Sequence, residues 1–479
     1  MTLVDCPTAR SVVRVPPTIR LDDLLAATGG RLKGPASVTS IAGASVDSRR
    51  VTPGSIYVAL RGERTDGHHF VTDALRAGAV AALVDRPVEL PADLHAPVVI
   101  VSDALRALGD LAAWWRSRHA VRVVGVTGST GKTIAKEITA DLLSRSLRTL
   151  RNEGNLNSET GLPVTLLRLD ASHEAAVLEM SMYTTGEIAR LAEIARPEVG
   201  IVLSVHPAHL ERAGSIDRIA QAKGELPAAL PADGLAILNA DDHRVLAMHS
   251  LTPATVRTFG LAANADVRAD EVVSNGLAGT VFMIRAPWGE RRVRSATPGR
   301  HLVPHALAAA TAAEHLGVPF DEVEGGLAAG SRAAHRMQVE TAASGATLVD
   351  DTYNASPISM RAALDFLAET PITSGRRRLA VLGDMLELGP DEARLHHEIG
   401  EHAARSADLI VAVGARGRWI AEGARAAGAT RVVQADDADE AASVLEREAA
   451  TGPGDLVLLK ASRGMGLDRA VDLLRGVNS

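Results

Sequence analysis

The sequence predicts an α/β protein of three domains, and three observations carry that prediction. Short apolar runs of β type alternate with helical stretches along nearly the whole chain. Aromatic residues make up only 3% of the 479 residues, while Ala, Val, Leu and Gly are plentiful, which suits helices packed closely on sheets. Finally, the run Val123–Thr133, VVGVTGSTGKT, joins a buried-strand pattern to a glycine-bracketed Lys-Thr pair. A chain of this length exceeds one hydrophobic core, and roughly two to four domains are expected.

Residues 1–16 read as a leader containing Pro7 and Pro16. A small N-terminal α/β domain is expected over 17–103, with strands at Ile56–Leu60, Ala81–Val84 and Val98–Val101 and a helical stretch at Phe70–Ala77. Ala104–His119, rich in Ala, Leu and Trp, reads as a connecting helix that opens a central domain over 104–330. In that domain the phosphate-loop strand is followed by strand candidates at Ala176–Met180, Gly200–Val205 and Leu235–Asn239, an alternation that implies a mostly parallel sheet. From Val256 to Ser295 the pattern turns to β runs, Thr280–Ile284 and Arg291–Arg294, expected as a small antiparallel sheet on the edge. The alanine-rich helix Ala306–Leu316 closes the domain.

A C-terminal, dinucleotide-fold-like domain is expected over 331–479. Its strands are read at Thr347–Asp351, Arg378–Leu382, Leu409–Val413 and Leu456–Lys460, with helices at Ser359–Leu367, Glu392–Ala404 and Ala438–Arg447. It lacks a G-x-G-x-x-G after its first strand, so it is not read as a cofactor domain.

Composition excludes several classes. A net charge of −7 leaves no basic footprint for nucleic acid. The one cysteine, Cys6, excludes an internal disulfide and a cysteine zinc cluster. No apolar run approaches the ~18 residues of a membrane span, so no membrane association and a cytoplasmic location are expected.

The phosphate loop Thr127, Gly128, Ser129, Thr130, Gly131, Lys132 and Thr133 points to a bound nucleoside triphosphate. Backbone N–H groups wrap the polyphosphate, Lys132 neutralises its outer oxygens, and the Thr133 hydroxyl holds Mg²⁺. Val126 stands where the strict pattern has glycine. Glu179 follows a buried-strand pattern, where open α/β sheets place ligand-binding groups. His209 lies in SVHPAHLE, and Lys223 in IAQAKGEL, a helix that Ser215 caps. Glu179 and His209 near a triphosphate form a set that suits a second Mg²⁺, although imidazole is an unusual magnesium ligand. Taken singly, each of the three also reads as an ordinary exposed side chain. No guanine-reading N-K-x-D segment is present, which argues against a GTPase.

These residues resemble a known family, the Mur ligases, over about Leu21 to Val471. TGSTGKT is the family's variant of the phosphate loop. NEGNLNSETGLPVTLL (152–167), LEM (178–180), PAHLERAGS (207–215), AKGELP (222–227) and LNADD (238–242) follow in order. HRMQV (335–339), DDTYNASP (350–357), LGDMLELG (382–389) and LKASR (459–463) continue the match. GNLN and the last four segments look like the branch that adds D-alanyl-D-alanine to a UDP-muramoyl tripeptide. VDSRRVTPGSIYVALRGERTDGHHF (46–70) is similar to the family's UDP-substrate domain.

The resemblance implies an ATP-dependent amide ligase that works through an acyl phosphate with two Mg²⁺ ions. It implies that Gly128, Gly131 and Lys132 hold the β- and γ-phosphates, with Thr133 on the first Mg²⁺ and Glu179 and His209 placing the second. Lys223 matches the lysine that the family carbamylates with CO₂, and Lys132, Lys223 and His209 are the implied catalytic set. Asn239 and Asp242 fall in the nucleotide-contacting stretch, while Arg336, Asp351 and Asn354 approach ATP from the third domain. Asn155 and Asn157 contact the muramoyl peptide, and Ser48 and Arg49 lie near the uridine diphosphate. A monomer taking the UDP-linked muramoyl peptide and D-alanyl-D-alanine as small-molecule substrates is the implied assembly.

Some positions differ from the family's usual residues. Ser204 and His305 replace asparagine, His206 and Ser181 replace glycine, and Leu302 and Ile134 replace polar residues. Two other readings follow from them: a diverged member joining another acid and amine, and a homologue that binds nucleotide without turnover.

Overall fold

Parallel strands buried on both faces need apolar runs without a polar stripe, and the chain supplies them in three sheets. A computed structural model describes residues 18–38, 40–62, 65–207, 214–330 and 334–477, so the leader expected over 1–16 lies outside the described residues. The chain divides into two compact units. One comprises the described part of Met1–Ala120 with Glu153–His173, and the other Val121–Asn152 with Glu174–Ser479.

The first unit holds a five-stranded sheet in the spatial order Arg31–Lys33, Val98–Ile100, Ala81–Val84, Ile56–Val58, Ala44–Ser45. Its first pair is antiparallel and the rest are parallel. Tyr57, Val71, Ala74, Ala82 and Val84 form its core. The helix Ala104–Ser117 begins at Asp103, whose carboxylate accepts from the Arg106 amide at 2.9 Å. The helix belongs to this unit rather than opening the central domain. It buries Leu108 and Leu111, and the Trp115 indole donates to the Leu169 carbonyl at 3.0 Å, which ties it to the 153–173 segment.

The second unit contains a nine-stranded sheet. Its spatial order is Gly289–Ser295, Thr280–Ala286, Val267–Ser274, Thr255–Gly260, Leu235–Asn239, Val199–Val202, Arg122–Thr127, Ala175–Glu179, Thr149–Arg151. The expected antiparallel strands are present, but they are no separate sheet. Thr255–Gly260 and Val267–Ser274 run parallel to the main strands, Thr280–Ala286 reverses, and Gly289–Ser295 turns back antiparallel to it, extending the same sheet. One face of these outer strands meets solvent, so they alternate buried and exposed residues, whereas Val123, Val124 and Val126 on the phosphate-loop strand are wholly buried.

A six-stranded sheet completes this unit, in the order Gln338–Thr341, Thr347–Asp350, Leu456–Lys460, Arg378–Gly383, Leu409–Val413, Val432–Ala435. Its first pair is antiparallel and the others are parallel. Parallel registry in the nine-stranded sheet pairs Val126 with Glu179 and Thr127 with Val202, so the strand ends that carry chemistry share one edge.

The helix Val303–His315 packs on the helix Lys132–Leu143 that follows the phosphate loop. Burial pushes the imidazoles of His301 and His305, at and just before its first turn, down to about 4, against a partial pull from Asp351 on His301. Because their folded pKa lies below the unfolded value, the neutral rings stabilise the fold above about pH 6.5, and that stabilisation is lost as the pH falls toward 4. Denaturant midpoints should therefore fall across this window, and His305→Asn should flatten the fall. An identical pH profile for the variant would show that His305 titrates as it does in the unfolded chain.

Candidate nucleotide and ligation site

The phosphate loop is held by its neighbours at nearly every residue. The Thr127 hydroxyl donates to the Met180 carbonyl at 2.9 Å. The Ser129 amide donates to the Ser204 carbonyl at 2.8 Å, and its hydroxyl exchanges two 2.9 Å hydrogen bonds with the His206 backbone. The Thr130 amide donates to the Ser204 hydroxyl at 3.2 Å. Two amides expected to wrap a polyphosphate are therefore committed to Ser204. Anion binding then falls to the start of the next helix, whose first N–H groups have no intrahelical acceptor.

Gly131 caps that helix at φ 79°, and a Cβ there would stand 1.8 Å from the His305 Nε2. Backbone conformation and space both require glycine at this position. Lys132 opens the helix and donates to the Gly128 carbonyl at 2.9 Å.

Around the loop the charges crowd. Glu179 is 2% exposed at the end of its strand, and Asn152, fully buried, fixes its backbone from both sides. Asn152 Nδ2 donates to the Glu179 carbonyl at 3.1 Å, and its Oδ1 accepts from the Glu179 amide at 2.9 Å. Burial holds the Lys132 ammonium below its usual range, with Glu179 pulling the other way and Arg336 adding to the depression. Lys223 is 4% exposed on the helix Ile216–Ala228, and burial, then Lys132, push it well below the usual lysine range. As expected, Ser215 caps that helix, accepting from the Arg218 amide at 3.2 Å.

Arg336 arrives from the side of the six-stranded sheet. Its Nη2 donates to the Thr133 hydroxyl at 3.1 Å, and its buried Nε has no acceptor among the described residues. His209 lies outside the described residues. Among the described residues no cluster of three or more His, Cys, Asp or Glu side chains is arranged to hold a metal. The donor set nevertheless fits magnesium, which takes one or two protein oxygens and completes its shell with phosphate and water. The Thr133 hydroxyl and the Glu179 carboxylate are such oxygens. A lysine amine is not.

The remaining expected residues fall into three groups. Asn239 and Asp242 support the loop from behind, because Asn239 Nδ2 donates to the Leu203 carbonyl at 2.7 Å and the Asp242 carboxylate accepts from the Val205 amide at 2.7 Å. Together they fix the segment that carries Ser204. Asp351 forms a buried ion pair with Lys460, whose Nζ also donates to the Asn354 carbonyl at 2.9 Å. Ser48, Arg49, Asn155 and Asn157 lie in the first unit. There, Arg49 grips Asp47 through Nε and Nη2 at 2.9 and 2.8 Å, which draws the Asp47 carboxyl down to about 2. Asn155 and Asn157 share one tight turn, the Asn157 amide donating to the Asn155 carbonyl at 2.8 Å.

Sequence reasoning missed Asn152, Tyr353 and Lys460 as functional supports, although each sits inside a matched segment: NEGNLN, DDTYNASP and LKASR. Adjacency to the matched residues was the available signal.

Known proteins resemble this chain along most of its length. Residues 40–116 match the model of the Mur ligase family catalytic domain, 126–313 the Mur ligase middle domain, and 335–463 the Mur ligase glutamate ligase domain. The UDP-N-acetylmuramoyl-tripeptide--D-alanyl-D-alanine ligase of Escherichia coli (strain K12) is 40% identical over 84% of this chain and 87% of its own. A crystal structure of MurF from Acinetobacter baumannii superposes with a TM-score of 0.84 at 32% identity, covering 96% of this chain and 99% of that one. MurF ligase from Thermotoga maritima in complex with ADP gives 0.76 at 29% identity, covering 91% and 97%. With its phosphate loop, buried lysines and incoming arginine, the chain belongs to the Mur ligase family.

Proposed function

We propose that this protein is an ATP-dependent ligase that joins D-alanyl-D-alanine to UDP-N-acetylmuramoyl-tripeptide in peptidoglycan precursor synthesis. The observation that carries the reading is Arg336, delivered 3.1 Å from the phosphate-loop Thr133 by the C-terminal domain. A loop that only bound nucleotide would not need a guanidinium brought from a second sheet. Phosphoryl transfer to a carboxylate does, because two anions must approach.

In this reading the muramoyl-peptide carboxylate attacks the γ-phosphorus of ATP, the bond to ADP breaks, and an acyl phosphate forms. Lys132 and Arg336 offset the negative charge that gathers on the γ-phosphate oxygens. Thr133 and Glu179 are the residues that would hold magnesium, which would add further neutralisation of the phosphates when bound. The neutral N-terminal amine of the dipeptide then displaces phosphate, with water kept out so that the acyl phosphate is not hydrolysed. Ser48, Arg49, Asn155 and Asn157 serve the UDP-muramoyl end. Asp351 and Asn354 serve ATP by fixing Lys460 at the edge of the C-terminal sheet.

Lys223 is assigned a carbamate. A neutral buried amine adds to the carbon of CO₂, forming an N–C bond and releasing one proton, which turns a would-be cation into an anion beside the metal site. The unmodified lysine would crowd Lys132, while the carbamate balances it. The reading includes a cytoplasmic monomer, and no described helix is long and apolar enough to cross a membrane. Ser204, His206 and His305 replace residues usual in the family, yet each is built into the support of the phosphate loop. They give no ground for another substrate pair or for lost turnover.

Purified protein should form ADP, phosphate and a UDP-muramoyl pentapeptide only when tripeptide, dipeptide and ATP are all present. Turnover with an unrelated acid and amine instead would overturn the substrate assignment. Lys132→Ala should lower kcat by at least about 10²-fold, the scale for removing a donor from a developing anion, with unchanged circular dichroism. Lys223→Ala should lose activity that acetate or propionate partly restores, and full activity without rescue would refute the carbamate.

A further inference from the structure

Arg336 stands on a turn that no isolated peptide would favour. His335 and Met337 on either side of it have φ of 56° and 51°, left-handed values that disfavour residues with a Cβ. The end of the strand Thr347–Asp350 holds this turn in place. The Asp350 carboxylate meets His335 Nδ1 at 2.7 Å, and the Tyr353 amide donates to the His335 carbonyl at 3.2 Å. Asp350 is itself fixed by the Thr352 amide and hydroxyl, at 3.0 and 2.6 Å.

On this frame the Arg336 guanidinium carbon lies 4.1 Å from the centre of the Tyr353 ring. Arg463 approaches the same ring at 6.0 Å. An arginine side chain has many rotamers, and a ring face removes most of them while attracting the cation. The contact leaves the Nε–H buried and without an acceptor among the described residues, beside the Nη2 that reaches Thr133. An Nε and Nη pair is the edge with which arginine grips two oxygens of one phosphate.

We propose that Tyr353 is a positioning residue: its ring fixes Arg336 so that the Nε and Nη2 donors meet a phosphate oxygen of the nucleotide beside Thr133. The inference rests on the reading of Arg336 as an ATP contact and deepens it. The ring face is what matters here, and the phenol hydroxyl plays no part.

The test compares Tyr353→Leu, Tyr353→Met, Tyr353→Phe, Arg336→Ala and the Arg336→Ala/Tyr353→Leu double variant. Affinity for MgAMP-PNP, a non-hydrolysable ATP analogue that keeps the third phosphate, is read by calorimetry and should fall about tenfold in Tyr353→Leu, and kcat and KM for ATP are read by ligation. Tyr353→Leu should lose about tenfold in kcat/KM for ATP, the scale of a desolvated cation–π contact, with KM for the dipeptide unchanged. Tyr353→Phe should recover most of that loss, and the double variant should be no worse than Arg336→Ala alone, because the effect runs through one guanidinium. Parent-like Tyr353→Leu, Tyr353→Phe as damaged as Tyr353→Leu, or losses that multiply in the double variant would each overturn the proposal. If Tyr353→Leu does not fold, Tyr353→Met, unbranched and similar in bulk, carries the same comparison. The calorimetry needs neither acid nor amine, so it decides the role of Tyr353 even if no ligation is found.

Discussion

Excess positive charge around one phosphate loop is the constraint on which the rest of this structure depends. The buried Lys132 feels Lys223 on one side and Arg336 on the other, and among the described residues Glu179 is the acid that pulls against them. Burial and mutual repulsion both disfavour two ammonium groups there, and the folded protein responds by holding both lysines below their normal range. A polyphosphate relieves the same repulsion. The energy that the fold invests in gathering these cations is therefore returned when an anion enters, which couples nucleotide binding to the electrostatics of the cleft rather than to shape alone.

Such a cluster must be kept from relaxing. The loop is accordingly tied at Thr127, Ser129 and Thr130, and Leu203 and Val205, the neighbours of its tether Ser204, are tied in turn by Asn239 and Asp242. Each tier of hydrogen bonds lies at the carboxyl ends of adjacent parallel strands, so the sheet registry sets the spacing of the tiers. Asn152 does for Glu179 what Ser204 does for the loop, fixing a backbone rather than touching a ligand. Polar residues at this edge are in the main devices for holding backbone still, and the few that face the nucleotide work because the others do not move.

Much of this was legible in the sequence because strand ends and glycine loops are local features. The strands Leu235–Asn239, Leu409–Val413 and Leu456–Lys460 have the bounds their apolar runs suggest, and GKT sits where a strand gives way to a helix. What was not legible is long-range. Nothing in GRHLVPHALAA shows that His305 will lie on Gly131, more than 170 residues earlier in the chain, and nothing in SVHP shows that Ser204 will take two loop amides. The strands Thr149–Arg151 and Val267–Ser274 had no bounds in the sequence reading because strands at or near a sheet edge need fewer apolar residues than buried ones, whereas Thr280–Ala286 and Gly289–Ser295 were read in part. The helix Ala104–Ser117 went to the first unit because it packs on the helices Leu21–Thr28 and Gly161–Leu166, partners that no period in its own sequence records.

The turn carrying Arg336 shows why position was selected over ease of folding. Two left-handed residues in three cost on the order of 1–3 kcal/mol each, and an arginine on a relaxed loop would still find Thr133 part of the time. A relaxed loop, however, would have to order itself at every turnover, and that ordering would subtract from the stabilisation the arginine gives to a short-lived arrangement of charge. Strain accepted once, on folding, and braced by Asp350, removes the repeated cost. The Asp350 carboxylate and the Tyr353 amide tie this turn to the end of the strand Thr347–Asp350, so the backbone under the guanidinium is held by the C-terminal sheet. On the proposal that the Tyr353 ring fixes Arg336, the distance from the guanidinium to Thr133 is set by where that strand end lies rather than by the many rotamers open to a free arginine.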